Sequence, residues 1–350
     1  MASVSGSTTV AAVKVATTWG TSVAAGAGNR FTGEITYAAN ATELVSREIG
    51  SGNEMVTQAT KAVIKPTVSI TMDAGYENNF DTFLAQFFGT DSVSAELTAS
   101  QGDYRHTLNF NTSLNSKYLS VALTDTSSTS LEFPTCAVRS VTVKPQGVPG
   151  YVDATFELVA NDIVIGSATN TYAVVAATTA RSNQENMATA FNDVFWINAT
   201  SGGSLSSADK VNILDWSFTL TRPQEAQQEI TGSTGLGAPI KTGLFEGSVT
   251  VTLKELPDHT HFTAWSAETK SKIKLGFDGT QIGSGNNRSF YAYFPQAQLI
   301  QEPNYSLSQP GINPVTLTWK LSKAASNPTG MSYTYPYVEI INTKTTQLLA

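Results

Sequence analysis

Two six-residue stretches decide the fold: Thr67-Val68-Ser69-Ile70-Thr71-Met72 and Ser248-Val249-Thr250-Val251-Thr252-Leu253. They lie 181 residues apart and read alike. Each alternates hydroxyl with apolar side chains, the period-2 pattern of a strand buried on one face. A helix pattern follows each. Phe80, Phe83, Leu84, Phe87 and Phe88 share one helical face, with Asn78 or Asn79 to cap its start and Gly89 its end. After the second stretch, Asp258 can cap a shorter apolar face begun by Phe262 and Trp265.

A second correspondence lies downstream. Phe133-Pro134 recurs as Phe294-Pro295, Gly150 as Gly311, and Thr155-Phe156 as Thr316-Leu317, all at an offset of 161. Each Phe-Pro precedes a run of apolar alternation (Ala137, Arg139, Val141, Val143; Ala297, Leu299) and then a final strand, 154–159 or 315–321. The order is strand, long excursion, strand, helix, strands, Phe-Pro and two strands, and it occurs twice. The excursions hold 43–58 and 224–241 and are long for structureless loops in a compact domain, so they read as hairpin flaps. The expected organisation is an N-terminal arm (1–22), a first domain (23–162), a connector (163–189), a second domain (190–324) and a C-terminal arm (325–350). The expected class is mainly β: two tandem β-sandwich or barrel-like domains, each with one flanking helix and a long flap.

Composition agrees. Of 350 residues, 47 are Thr, 35 Ser and 26 Gly, while 14% are charged, which favours sheet and turns over helical bundles. The lone Cys136 excludes an intrachain disulfide framework and a cysteine-based zinc site. A net charge of −7 argues against a dedicated nucleic-acid binder. Residues 1–5 show no basic, apolar leader, so no signal peptide is expected. The charge-free run from Ile163 to Ala180 is broken by Ser, Thr, Asn and Gly and does not read as a membrane span.

The features that bear on chemistry are few. Lys270, Lys272 and Lys274 alternate along a strand, which places three ammonium groups on one face. That face reads as a lysine-protected edge, an ion-pairing surface, or a phosphate track. Residues 23–162 hold 15 acids and 8 bases, whereas 163–350 hold 13 and 12. The lysines and the first-flap carboxylates Glu43, Glu48 and Glu54 are therefore the candidate inter-subunit surface. His259 and His261 lack further metal ligands, and His106 has no nucleophile arrangement around it. Gly232, Gly235 and Gly237 precede a strand without Gly-Lys-Ser/Thr, so they suit a hairpin tip rather than a phosphate loop. No catalytic residue, cofactor or metal is expected, and the chain does not read as an enzyme.

Several of these motifs together carry a resemblance. They are the Val68-Ser69-Ile70-Thr71-Met72 strand with its helix ending Ala85-Gln86-Phe87-Phe88-Gly89, and Leu214-Asp215-Trp216-Ser217-Phe218-Thr219-Leu220-Thr221-Arg222-Pro223. Gly247 to Leu253, and Phe294-Pro295 with Pro310-Gly311, complete the set. In this order the chain resembles the major tail tube protein of long-tailed bacteriophages, in the family whose tube domain is duplicated. The resemblance implies stacked rings, three chains and six domains each, that form a hollow conduit for genome ejection in a virion tail assembled in the host cytoplasm. It implies self-association, contacts with other tail proteins at the tube ends, and a lumen passing the tape measure protein and DNA without specific binding. It implies no membrane partner. Two alternatives stay open: another β-rich virion or surface protein such as a capsid decoration, and a carbohydrate-binding or hydrolase module.

Overall fold

The computed structural model describes residues 9–45, 59–111, 113, 116–124, 128–147, 149–189, 194–228, 235–254, 259–303 and 314–350, with the backbone alone at 41–45 and 59–63. The chain is mainly β. It opens with β1 (Ala11–Ala16), β2 (Arg30–Phe31) and β3 (Glu34–Ala38), then a hairpin of β4 (Ala41–Val45) and β5 (Ala59–Ile64). There follow β6 (Thr67–Asp73), helix α1 (Phe80–Phe88), β7 (Gly89–Val93), β8 (Tyr104–Phe110), β9 (Tyr118–Thr124), β10 (Ser130–Pro145) and β11 (Val152–Ala160). The middle of the chain holds β12 (Val164–Ile165) and the short helix α2 (Tyr172–Ala176). Then come β13 (Phe195–Ala199), β14 (Asp215–Thr221), β15 (Gln224–Glu225), β16 (Ile240–Lys241) and β17 (Glu246–Leu253). Helix α3 (Thr260–Ser266), β18 (Lys270–Gln281), β19 (Asn287–Leu299), β20 (Val315–Leu321) and β21 (Tyr337–Asn342) complete it.

The pairings are antiparallel, and one pairing order occurs twice. Strands β1-β9-β10-β11-β6-β3 are successive neighbours. So are β13-β18-β19-β20-β17-β14. The registers agree residue by residue. Thr67 faces Val159 as Ser248 faces Lys320. Cys136 faces Ala160 as Ala297 faces Leu321. Val15 faces Leu119 as Ala199 faces Ser271. The offsets of 181 and 161 seen in the sequence are therefore offsets of hydrogen-bonded register. A one-residue slip in either copy would turn every inward side chain outward, so this agreement is strongly specified.

The Phe-Pro pairs acquire a structural reason here. The β9–β10 ladder shifts register between Phe133 and Cys136, and the β18–β19 ladder shifts at Ser271/Ile273, opposite Phe294 to Ala297. Pro134 and Pro295 thus sit inside bulges, where a residue without an N–H costs no ladder bond.

Both terminal segments are drawn into the sheet. β1, from the stretch expected as an arm, pairs with β9 in the place that β13 takes beside β18. β21 lies between β19 and β8. It thereby ties the β7–β8 pair to the second set, while β10–β14 pairing at Ser140–Val143 joins the two sets to each other.

Along β6, Val68, Ile70 and Met72 point inward and the hydroxyls between them face outward, as the alternation predicts. Helix α1 departs from the expected single apolar face, because all nine of its residues are buried. Phe83 stacks on Phe156 at 5.2 Å, and Phe80 meets Phe290 of β19 at 5.7 Å. Phe87 meets Phe245 at 6.0 Å. The second half of the chain covers the side that a two-layer domain leaves to water, and each buried ring contributes about 1.5–3 kcal/mol. Asn79 caps α1 with φ 72° and no side-chain bond to the helix, its Nδ2 donating instead to the carbonyls of Gly28 and Arg30, while the Oδ1 of Asn78 accepts from the Phe80 N–H at 3.3 Å. Gly89, at φ 79°, closes the helix in the left-handed region glycine favours. Helix α3 has no buried residue, and its expected cap Asp258 lies outside the described residues.

Candidate assembly surfaces

The three lysines do not form one exposed face. β18 is hydrogen-bonded to β13 on one side and β19 on the other, so it is not an edge strand. Lys270 is exposed, but Lys272 is fully buried. The Lys272 ammonium donates to the carbonyls of Gly202 and Thr329 at 2.9 and 3.0 Å. Burial pushes its pKa down, and the nearby charge of Asp209 acts the other way. Lys274 is half-buried, with Nζ 3.8 Å from the centre of the Tyr291 ring and 4.7 Å from that of Trp196. Burial lowers its pKa too, opposed by Asp278 and Glu339. Carbonyls and ring faces thus replace the water a lysine face would keep. Alternation placed these residues on one side of a strand but could not say what lies against that side.

Of the acidic partners, Glu43 is placed by its backbone, opposite Lys61 in the β4–β5 hairpin. Glu48 and Glu54 lie outside the described residues. The repeat markers Phe133, Pro134, Phe294 and Pro295 are buried. Gly150 sits where an added Cβ would meet the Gly147 carbonyl oxygen at 2.8 Å, and its counterpart Gly311 lies outside the described residues.

The described ends of the second flap, 224–228 and 235–241, are tied to the first half of the chain. Gln224 Nε2 donates to the Val138 carbonyl at 2.8 Å, and the Leu236 N–H to that of Asn161 at 3.0 Å. Trp19 Nε1 donates to the Leu236 carbonyl at 2.7 Å. Arg222, at the root of the flap, donates to the carbonyls of Phe87 and Asn111, and its guanidinium lies 4.9 Å from the centre of the Phe110 ring. Burial pulls its pKa down to about 10. One half of the chain therefore grips the end of the other half's helix.

Ionic contacts extend this internal junction. Arg181 of the connector makes two bonds to buried Asp81, at 2.9 and 2.7 Å, and a third to Thr82. Asp103 accepts from the Asn286 N–H at 3.0 Å and from the Asn286 side chain at 2.7 Å. Burial alone would raise the Asp103 pKa, but the bonds from Asn286 and Thr98 outweigh it and hold the carboxyl well below the usual range. His106 is buried between Asp91, at 3.3 Å, and the Lys344 carbonyl, at 2.9 Å, while Asp91 also accepts from the Leu348 N–H. These residues fasten the C-terminal segment. Sequence reasoning missed the ties of Arg222 to Phe87, Arg181 to Asp81, Asp103 to Asn286 and His106 to the Lys344 carbonyl, because each spans about 100 or more residues and shows no local pattern.

Some large apolar side chains of the described residues are exposed. Tyr37 on β3 is 51% exposed, whereas Phe218, its counterpart on β14, is 1% exposed. Ile300, just past β19, is 50% exposed.

No helix of the described residues is long and apolar enough to cross a membrane. No curated protein matches the chain. A family model described as phage tail tube protein matches residues 6–321, and the chain, so much of whose length is covered, belongs to that family.

Proposed function

We propose that this chain is the major tube subunit of its phage tail: a non-enzymatic building block whose two tube units close, three chains at a time, into rings that stack as a hollow conduit for genome ejection. Family membership makes it a structural component of the virion tail that assembles with itself and with other tail proteins. The observation that carries the finer reading is the doubled six-strand register, in which two halves of one chain repeat the same pairings. Two like units in one chain convert one head-to-tail contact of a ring into an intramolecular one, and the others remain to be made between chains. Three copies at −7 give a ring of about −21, a charge suited to letting DNA pass without holding it. The acidic first half and near-neutral second half, with the first-flap glutamates and the exposed Lys270, help set which unit follows which. The remaining ends of a finished tube meet other tail proteins, and assembly takes place in the host cytoplasm.

Sedimentation velocity at rising concentration, with negative-stain images of the same samples, tests this. Rings or tubes with a stain-filled lumen are expected. Compact closed oligomers with no lumen would refute it.

A further inference from the structure

We infer that the outer edge of β3 in one copy pairs with the open side of the chain just past β19 in the next copy, repeating between chains the contact that β14 and β10 make within one. The inference rests on the tube reading and names which edges meet.

The argument runs from register. On β10, pairing with β9 ends at Cys136, and the freed side at Ser140–Val143 is taken by β14 of the same chain. On β19, pairing with β18 ends at Gln298. Beyond it the Ile300 N–H bonds to the Thr318 carbonyl on the β20 side, and Ile300, Gln301 and Glu302 are exposed. Among the described residues nothing pairs with their other side. Likewise β3 pairs with β6 on one side and, among the described residues, with nothing on the other. Its counterpart β14 uses that second side for β10.

The side chains agree. Phe218 of β14 is buried at this junction, and Tyr37 at the matching place on β3 is left half in water. Helix α1 is covered from outside its own half by Phe245 and Phe290, whereas α3 at the matching place has no buried residue, and Phe262 is 37% exposed. One occupant answers both vacancies: the first half of a second copy, arriving as the second half arrives in chain. A bare strand edge is a template for another strand, and head-to-tail pairing satisfies its N–H and carbonyl groups. Pro303, at the place of Thr142, lacks an N–H, and Asn40, at the place of Thr221, has φ 47°. The ladder between chains is therefore shorter than the one within, and centres on Ala39 and Glu302, the counterparts of the facing pair Leu220 and Val141.

The test uses two full-length variants, Ala39→Cys and Glu302→Cys, at exposed positions in a chain whose native Cys136 is buried. They are mixed under assembling conditions, oxidised mildly, and run on a non-reducing gel. A cross-linked dimer from the mixture, and none from either variant alone, is expected. Symmetric dimers from one variant alone overturn the inference. Rings or tubes in the micrographs without the mixed dimer overturn it and leave the tube reading standing. Absence of both the dimer and any ordered assembly overturns the two together. Tyr37→Asp supplies a second arm: melting of the isolated chain unchanged and ring formation lost, with assembly at the parent level overturning the pairing.

Discussion

Lys272→Met removes a buried ammonium and keeps most of the side chain's apolar length. In the folded chain, the carbonyls of Gly202 and Thr329 then lose donors at 2.9 and 3.0 Å. A bond from a charged donor nets about 1.5–3 kcal/mol, so two set a ceiling of about 3–6 kcal/mol. The cost of burying the ammonium, which shows as its lowered pKa, is relieved by the substitution and offsets part of this. The expected net loss is about 2–3 kcal/mol, in line with stranding buried polar groups. Urea unfolding of the isolated chain, followed by tryptophan fluorescence, reads it as a lower midpoint. Lys270→Met, on the exposed lysine two residues away, shifts stability by less than about 0.5 kcal/mol. The loop holding Thr329 should also become more open to proteolysis in Lys272→Met, because its tie to Gly202 is lost. Were Lys272→Met as stable as the parent and defective only in salt-sensitive assembly, the reasoning would be refuted and the lysine would be a surface charge after all.

Three other outcomes follow from the same geometry. Burial, helped by Arg181 and opposed by the carboxylates of Asp81 and Asp91, depresses the Lys344 ammonium to about 8, whereas unfolded lysines titrate at about 10.4. Between these values the unfolded chain binds more protons, so stability on this residue's account rises with pH; Lys344→Met should flatten that rise, and identical slopes would contradict it. Asp81→Asn should destabilise by about 3 kcal/mol, since it breaks the two-bond contact with Arg181 on a fully buried carboxylate, and a loss under about 1 kcal/mol in thermal unfolding would count against the junction. At Gly276 an added Cβ would meet the Tyr291 ring at 2.4 Å and Trp196 at 3.0 Å, so Gly276→Ala should cost about 1–3 kcal/mol and shift Trp196 emission; unchanged emission and stability would show that the rings have room.

Much of the fold was legible because the alternation of hydroxyl and apolar residues is local and occurs twice. Val68, Ile70 and Met72 face inward as their period demands, and the offset linking them to Val249, Val251 and Leu253 survives as register. The Phe-Pro pairs were visible as markers, but their role at bulges emerges only when β9 and β18 are laid beside them. The stretches expected as arms, 1–22 and 325–350, hold β1 and β21, because short strands without a neighbouring partner in sequence look like any small-residue stretch. Lys272 misled for a related reason. A period tells which residues share a side, whereas the carbonyls that accept its protons come from Gly202 and Thr329, 70 and 57 residues away. Complete burial of α1 was hidden likewise, since its second cover comes from Phe245 and Phe290 of the other half.

The central claim is that two like units per chain close a ring around a lumen. Cryo-electron microscopy of assembled tubes, averaged in end view, tests it most directly. The account predicts a hollow ring of six similar lobes at low resolution that resolves at higher resolution into three identical pairs, with each chain contributing two adjacent lobes. A ring with one lobe per chain, or a solid core without a lumen, would contradict it.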